Sequence, residues 1–317
     1  MRPKAVADET MDSQVTEDEL VARANQIRTL TLEQVLVQGG GYLGQACSSA
    51  EILAVLFGHT LRLGPSTAPA VPDVFTGVPG SINESPSGGR YLGERSADLD
   101  RFILSPSHYA MALYAALIAD GRLDRQALRQ FNVDGSTLEM IGAEHSPGCE
   151  LTTGSFAQAL SQAAGIAWAR RRGGDTGRIW VFLSDGEMQE GQTWEALQFL
   201  SHHGLDNLRV VVDVNGQQVD GRMENVMGVQ PLDQRFTAFG AQVITVDGHD
   251  VNALAGAFDQ DTDGRPLVVL ANTHPTTGIP SLQERGHRLH YIRVLDEDNR
   301  AVLRNECDNL EKASQVR

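Results

Sequence analysis

Two apolar stretches in the second half of the chain, each followed at once by polar residues, decide the fold. Residues 179–187 read IWVFLSDGE and residues 208–217 read LRVVVDVNGQ. Continuous apolar runs of this length are typical of strands that are buried on both faces of a parallel sheet. Residues 243–246 and 267–270 predict two further strands, and helical patterns lie between them. The sequence therefore predicts an α/β fold with a doubly wound, mostly parallel sheet flanked by helices.

Two capping-box patterns predict where helices begin in the first part of the chain. Thr16 is followed by Glu19, and Ser48 is followed by Glu51. In this spacing, the side chain of each residue can bond to the backbone N–H of the other. Apolar residues at helical spacing follow each pair. We therefore expect one helix to start near each pair.

The composition along the chain predicts one folded domain between two tails. We expect a disordered acidic tail over residues 1–15, a folded domain over residues 16–300, and a C-terminal tail or helix over residues 301–317. Residues 64–92 are rich in Pro, Gly and Ser and have no periodicity. They predict a long loop inside the domain, and such loops are often functional.

Composition also narrows the classes of function. The 317 residues include 41 acidic and 26 basic side chains, and the formal net charge is −15 at pH 7. This excess of negative charge disfavours binding to nucleic acid and to anionic membranes. No apolar run approaches the roughly 20 residues of a membrane span, and the N-terminal segment lacks the apolar part of a secretory signal. We therefore expect a cytoplasmic protein.

Cysteine usage agrees with that expectation. The chain has three cysteines, Cys47, Cys149 and Cys307, which are widely spaced and odd in number. This pattern argues against a disulfide framework and against a zinc cluster. We expect three buried thiols in a reducing compartment.

Polar residues at the ends of two predicted strands point to a metal site. Asp185 follows the first strand, and Asn215 follows the second strand 30 residues later. If the strands are neighbours, both side chains reach one point at the carboxyl edge of the sheet. Their oxygens suit Mg²⁺, which usually binds water and phosphate as well. Gly186 would let the backbone approach a phosphate closely. The residues therefore predict a site for a magnesium-bound diphosphate.

The same residues carry a family resemblance. The run from Ser184 to Asn215 is similar to the thiamine-diphosphate motif of transketolases, which begins Gly-Asp-Gly and ends in Asn. The resemblance extends over about residues 20–290. Its other matching segments are residues 100–105 with His108, 152–155, 187–196, 205–208, 215–221 and 246–250. The chain resembles the N-terminal, diphosphate-binding half of a transketolase-like enzyme that is split into two polypeptides.

The resemblance implies a function and an assembly. The implied fold is the PP-type domain of thiamine-diphosphate enzymes, and the implied cofactors are thiamine diphosphate and Mg²⁺. The implied reaction transfers a two-carbon unit between small carbonyl compounds, in carbohydrate or specialised metabolism. A separate C-terminal, pyrimidine-binding chain would supply the glutamate that activates the cofactor. We therefore expect a heterotetramer with two copies of each chain, and we expect this chain to be inactive alone.

The resemblance also implies roles for individual residues. Three residues would hold the metal: Asp185 and Asn215 through their side chains, and Gln217 through its carbonyl. Cofactor contacts are implied for Gly154, Phe156, Asp185, Gly186, Asn215 and His108. Catalytic roles are implied for His108 and His290, with His287 as a weaker candidate. Glu190 resembles a glutamate at the subunit interface that couples the two active sites.

The sequence departs from the family pattern at three positions. Ser184 replaces the first glycine of the motif. Tyr42 stands where the family usually has a histidine that faces the donor sugar, and Gly142 stands where the family has a second histidine. Loss of hydrogen-bonding groups that recognise hydroxyls weakens discrimination strongly. We therefore expect either a ketol donor or a smaller 2-oxo acid, such as pyruvate, that delivers an acetyl unit.

Two other functions fit the same cofactor site. The chain could be the thiamine subunit of a 2-oxo-acid dehydrogenase, or a non-catalytic cofactor-binding subunit in which the missing histidines matter less. The matches at residues 190–196 and 246–249 favour the transketolase branch over the dehydrogenase.

Overall fold

A five-stranded parallel sheet forms the centre of the computed structural model, which describes residues 15–74, 81–82, 86–219 and 221–315. The strands of the described residues are β1 (Gly40–Gly41), β2 (Arg101–Leu104), β3 (Ile179–Ser184), β4 (Leu208–Val214), β5 (Gln217–Gln218), β6 (Gly221–Arg222), β7 (Gln242–Asp247), β8 (Leu267–Asn272) and β9 (Ile292–Arg293). The central sheet has the order β2-β3-β4-β8-β7, and every neighbouring pair is parallel. The predicted α/β fold with a parallel sheet is therefore confirmed.

Helices cover both faces of this sheet. The helices of the described residues are α1 (Glu17–Gln38), α2 (Leu43–Val55), α3 (Ala110–Ala119), α4 (Gln158–Gly173), α5 (Gly191–His202), α6 (Met223–Met227), α7 (Leu232–Ala238), α8 (Val251–Phe258) and α9 (Glu297–Ala313). Side chains alternate across a strand, so Trp180 and Phe182 pack with α1, α2, α3 and α8, whereas Val181 and Leu183 pack with α4, α5 and α7. This two-sided burial explains why most residues of β3, β4 and β8 are apolar.

The register of β3 and β4 fixes where their ends lie. Ser184, the last residue of β3, pairs with Asp213 near the end of β4. The turns that follow the two strands therefore leave the sheet side by side. This register is the physical reason that Asp185 and Asn215, far apart in sequence, reach the same edge.

One of the two predicted helix starts is correct. Thr16 caps α1 in a complete capping box with Glu19. The prediction for Ser48 and Glu51 is wrong, because α2 already begins at Leu43 and both residues lie buried inside it. Neither side chain caps a helix start: the Ser48 hydroxyl bonds to Asp213 and to the backbone oxygen of Gln45, and Glu51 accepts from Arg28. A capping-box pattern cannot be distinguished locally from two buried polar residues on one helix face.

Only part of the predicted domain division can be compared with the described residues. Residues 1–14, residues 75–80 and 83–85 of the 64–92 loop, and Asp220 lie outside the described residues. The described part of the loop ends in a short 3₁₀ turn, Gly88–Leu92. Helix α9 begins before the expected limit at residue 300 and packs on α1, where Leu303 and Leu310 join Leu32 in a separate apolar cluster.

Two further features bear on the expectations from composition. Cys47, Cys149 and Cys307 are all buried free thiols, as expected. Across the described ranges, no helix combines the length and the apolar character that a membrane crossing requires.

Candidate functional site

Two adjoining clefts open at the carboxyl ends of β3 and β4, the edge where ligands of parallel sheets usually bind. The smaller cleft has a volume of about 330 Å³, and the larger has a volume of about 780 Å³. Both are lined by Asp185, Asn215 and Gln217. The smaller cleft is also lined by Tyr42, His108, Gly154, Phe156, Gly186 and His290. The larger cleft is also lined by Arg222, His274 and His287. We call the smaller one the histidine cleft and the larger one the outer cleft.

One turn brings the two predicted metal-binding side chains together. The backbone N–H of Gly216 donates to Oδ2 of Asp185 at 2.8 Å, and the next N–H, that of Gln217, donates to Oδ1 of Asn215 at 2.9 Å. Consecutive amides of a single turn therefore hold one oxygen from each side chain. Gly216 has φ of 65°, a left-handed conformation that glycine adopts without strain.

Asp185 is a buried carboxyl group that suits a bound cation. It is 2% exposed. Burial and the neighbouring Asp213 raise its pKa to about 8. The ion pairs found among the described residues give it no cationic partner. A divalent cation beside Asp185 would stabilise the ionised form and offset the cost of burying it. With the oxygen of Asn215 close by, the donor set fits Mg²⁺.

Asp213 fixes which way the amide of Asn215 points. The Nδ2 group of Asn215 donates to Asp213 Oδ2 at 3.0 Å and to the hydroxyl oxygen of Tyr109 at 3.1 Å. Both acceptors draw the NH₂ group inward, so the amide oxygen is left at the turn beside Asp185. Ser48, Tyr109 and Thr273 also donate hydroxyl hydrogens to the carboxylate of Asp213. Burial raises the pKa of Asp213, while these donors act to lower it.

The sequence reading missed Asp213 as a site residue. It lies near the end of β4, whose other residues are apolar apart from Arg209, two residues before Asn215, and it is fully buried. A charged residue in a run predicted to be buried on both faces is the signal that could have identified it, because buried carboxylates need several hydrogen-bond partners.

Glu187 is a second buried carboxyl group that the sequence reading left without a role. It accepts hydrogen bonds from the Ser105 hydroxyl, from the Ser184 backbone N–H at 2.9 Å and from the Ala157 backbone N–H at 3.2 Å. Its pKa is raised by burial. Glu187 thus joins the ends of β2 and β3 to the segment before α4, and Ser184 and Phe156 of the last two line the histidine cleft.

The two glycines predicted to contact the cofactor differ in their surroundings. Gly154 has φ of 97°, and a Cβ atom there would lie 2.3 Å from the hydroxyl oxygen of Ser107. A side chain cannot be accommodated at Gly154. A Cβ atom on Gly186 would meet no atom within 4 Å, so the backbone of Gly186 is open to the cleft. A ligand can therefore approach that backbone closely.

Three rings converge at the inner wall of the histidine cleft. The ring centroid of Tyr42 lies 5.4 Å from that of His108 and 5.2 Å from that of His290, and the two histidine centroids are 5.2 Å apart. Burial and the neighbouring His290 lower the pKa of His108 to about 3, so His108 is neutral at pH 7. The structure therefore brings together both predicted catalytic histidines and the tyrosine that departs from the family pattern.

His290 is contacted by a buried side chain of α2. The amide Nε2 of Gln45 lies 3.2 Å from Nδ1 of His290. Both residues line the histidine cleft. The contact therefore helps to position the His290 ring in the wall of that cleft.

Two positions singled out in the sequence, Glu190 and Gly142, lie outside both clefts. Glu190 is exposed at the start of α5 and lines neither cleft. Gly142 also lines neither cleft. A Cβ atom at Gly142 would lie 3.1 Å from the sulfur of Cys149, which is buried. Its neighbour Ile141 lines the histidine cleft and is 48% exposed. Phe156, also in that lining, is 37% exposed.

The comparison with protein families decides the identity of this fold. The family described as "Transketolase, thiamine diphosphate binding domain" matches residues 92–309. The chain belongs to the transketolase family. Among its relatives is a transketolase family protein, y4mO, of Sinorhizobium fredii, which is 36% identical over 289 residues that cover 90% of this chain and 94% of that protein.

The share of each relative that the match covers differs between short and long members of the family. A 6-deoxy-6-sulfo-D-fructose transketolase subunit of a Clostridium species is 31% identical, over 90% of this chain and 95% of that subunit. Human transketolase is 31% identical over 83% of this chain but only 38% of its own length. The solved transketolase of Campylobacter jejuni has the same fold, with a TM-score of 0.72 and 22% identity over 95% of this chain and 46% of that one. This member of the transketolase family therefore corresponds to the N-terminal part of the long enzymes.

Proposed function

We propose that this chain is the diphosphate-binding subunit of a two-chain transketolase-like enzyme that transfers a two-carbon unit to a carbonyl acceptor. The observation that carries the proposal is the single turn at which consecutive amides hold the oxygens of Asp185 and Asn215. The relatives of similar length support it, because one of them is itself named a transketolase subunit. They also favour the transketolase reaction over that of a 2-oxo-acid dehydrogenase.

Thiamine diphosphate and Mg²⁺ are the proposed cofactors. The side-chain oxygens of Asp185 and Asn215, with the carbonyl of Gln217, would hold the metal, and the open backbone of Gly186 would approach the diphosphate. Gly154 and Phe156 would contact the rest of the cofactor from the wall of the histidine cleft. When bound, thiamine diphosphate supplies a nucleophilic carbon and an electron sink for two-carbon transfer.

The residues of this chain would position the substrate. His290, which Gln45 contacts at Nδ1, would hydrogen-bond to the substrate from the wall of the histidine cleft. His108 is neutral at pH 7 and would act as a hydrogen-bonding group toward the substrate and not as a base. Tyr42 would narrow the histidine cleft and change its polarity at the position where the family usually has the histidine that faces the donor sugar. Either a ketol or a smaller acetyl unit remains within the proposal.

The site would be completed by a second, pyrimidine-binding chain. The match to this chain covers 38% of the human enzyme, and a relative matched over 95% of its own length is named a subunit. Glu190 is exposed, which suits its proposed contact with a partner subunit. We propose a heterotetramer of two copies of each chain, inactive when either chain is missing.

Replacement of Asp185 by alanine tests the proposed function. In the two-chain complex, Asp185→Ala should weaken magnesium-dependent binding of thiamine diphosphate by at least about 100-fold, because the first ligand of the metal is lost. Isothermal titration calorimetry with and without Mg²⁺ measures this directly, and two-carbon transfer should disappear as well. The matched control, Asp308→Ala on the exposed side of α9, should bind normally. Unchanged cofactor binding by Asp185→Ala would refute the metal assignment.

A further inference from the structure

Tyr42 stands where the chain passes from β1 into α2, and the backbone on both sides of it belongs to regular structure. Gly41, the last residue of β1, pairs with Ile292 of β9, and α2 begins at Leu43. The side chain of Tyr42 makes no capping hydrogen bond at the start of α2. The direction of its ring therefore depends on the side chains that pack against it.

Tyr291 is a further ring that packs against Tyr42, and it does so from outside the histidine cleft. The two ring centroids are 5.2 Å apart and the ring planes meet at 89°, which is an edge-to-face arrangement that aromatic pairs favour. Tyr42 lines the histidine cleft together with His108 and His290, which contact the same ring, whereas Tyr291 does not line it. Tyr42 is therefore the link between Tyr291 and the cleft.

Contacts outside the histidine cleft hold Tyr291 in turn. The guanidinium group of Arg293 lies over the Tyr291 ring, 5.3 Å from its centroid, at a distance where a cation attracts the face of an aromatic ring. Nη2 of Arg285 donates to the backbone oxygen of Arg293 and to Oδ1 of Asn299 on α9, at 2.9 Å each. The strand that follows Tyr291 is thus tied both to β1 and to the start of α9.

Gly40 of β1 makes room for the Tyr291 ring. A Cβ atom at Gly40 would lie 2.9 Å from Cε1 of Tyr291 and 2.8 Å from the backbone oxygen of Ile292, and both distances are shorter than non-bonded contacts allow. A residue with a side chain at this position would push Tyr291 away from β1. The close approach of the two short strands therefore depends on a glycine and brings Tyr291 beside the strand that leads into Tyr42.

We propose that Tyr291 is a positioning residue for donor choice: it holds the Tyr42 ring against His108 and His290 and so keeps the histidine cleft narrow. The proposal rests on the proposed function, in which Tyr42 stands at the donor position. Tyr291 acts through Tyr42 and does not touch the donor. Without the Tyr291 ring, Tyr42 gains space to turn away from the histidines, and the wider cleft favours a larger ketol donor over a small 2-oxo acid.

Fluorine NMR tests the contact between the two tyrosines without any catalysis. The chain has five tyrosines, so labelling with 3-fluorotyrosine gives few signals, and the Tyr42 signal is assigned by its loss in Tyr42→Phe. In the two-chain complex, Tyr291→Ala should shift and broaden the Tyr42 signal, because that ring loses its edge-to-face neighbour. Tyr291→Phe keeps the ring and should leave the Tyr42 signal in place.

The signals of Tyr91 and Tyr114 are internal controls in this experiment, because neither residue lines the histidine cleft or the outer cleft. Both signals should keep their positions in Tyr291→Ala, since Tyr291 is only half-buried and its truncation leaves the fold intact. A Tyr42 signal that does not respond to Tyr291→Ala would overturn the proposal.

Donor kinetics of the two-chain complex test what the contact does. Tyr291→Ala should raise the ratio of kcat/KM for xylulose 5-phosphate to that for pyruvate by about fivefold, through the KM values, and Tyr291→Phe should keep the wild-type ratio. In a Tyr42→Ala background, Tyr291→Ala should change the ratio by less than about twofold, because the residue through which Tyr291 acts is already truncated.

Two kinetic results would contradict the proposal. A merely structural role for Tyr291 lowers kcat for both donors alike and leaves their ratio unchanged. A full effect of Tyr291→Ala in the Tyr42→Ala background shows that Tyr291 acts without Tyr42. If no protein turns over either donor, the proposed function fails, while the fluorine NMR experiment still decides whether Tyr291 positions Tyr42.

Discussion

Individual residues of the site divide into those that would touch ligands and those that orient them. Asp185 and Asn215 present oxygens at one turn, whereas Asp213 is buried behind them and fixes the amide of Asn215. The first pair could be predicted from the sequence because each residue directly follows an apolar strand. The role of Asp213 could not, because its partners Ser48 and Thr273 come from distant parts of the chain.

Tyr42 is the residue at which donor choice is expected to be decided. Tyr42→His restores the group that the family usually carries beside the donor sugar, so it should raise the ratio of xylulose 5-phosphate to pyruvate consumption by about tenfold or more. The measurement is consumption of each donor by the two-chain complex, with Tyr91→His, a buried tyrosine outside the histidine cleft, as a control for general damage. If the wild-type enzyme already consumes the sugar phosphate faster than pyruvate, the hypothesis that Tyr42 shifts the donor from a ketol sugar to a 2-oxo acid is wrong.

At the scale of elements, a row of polar contacts connects the first helices to the loop beside the outer cleft. Arg28 of α1 donates to Glu51 of α2 at 2.6 Å, and Oε2 of Glu51 lies 3.0 Å from Nδ1 of His249. Nε2 of His249 accepts from the backbone N–H of His274 at 2.8 Å and lies 2.9 Å from the hydroxyl oxygen of Thr277. Because a backbone N–H can only donate, His249 carries its hydrogen on Nδ1 and donates it to Glu51.

This arrangement predicts that His249 holds the loop in place. His249→Ala should speed hydrogen exchange of the His274 amide by about tenfold and lower the free energy of unfolding by about 1–2 kcal/mol, because the acceptor of the His274 N–H and a partner of the buried Glu51 carboxylate are lost. Hydrogen exchange followed by mass spectrometry and denaturant titration measure the two effects. The exposed His202→Ala on α5 serves as the control. An unchanged exchange rate at residue 274 would show that the loop is held by other contacts.

The whole molecule includes its C-terminal helix as part of the packed structure. α9 lies on α1, and Leu303, Cys307 and Leu310 are buried in a cluster with Leu32 and Ile279. The sequence predicted a tail or helix from residue 301, but the contact with α1 joins residues nearly 300 positions apart. We therefore expect α9 to unfold together with the central sheet.

Truncation of a buried leucine of α9 tests that expectation. Leu303→Ala should lower the free energy of unfolding by about 3 kcal/mol, because it leaves a cavity in the cluster. The neighbouring Val302→Ala, at a position that is 47% exposed, should change it by less than about 0.5 kcal/mol. Denaturation followed by far-UV circular dichroism and by tryptophan fluorescence should give one coincident transition. A separate early transition for α9 would support an independent tail.

The sequence by itself predicted the sheet and most of its strand limits, because burial on both faces favours apolar runs. It also predicted that Asp185 and Asn215 lie at one edge of the sheet, because each residue follows the end of a strand. It also determined the family, through segments that are contiguous in the chain. Only the tertiary structure decided the buried roles of Ser48, Glu51 and Asp213 and the meeting of Tyr42 with both histidines. Each of these depends on contacts between residues far apart in sequence, and no local periodicity records which side chains a fold will bring within hydrogen-bond distance.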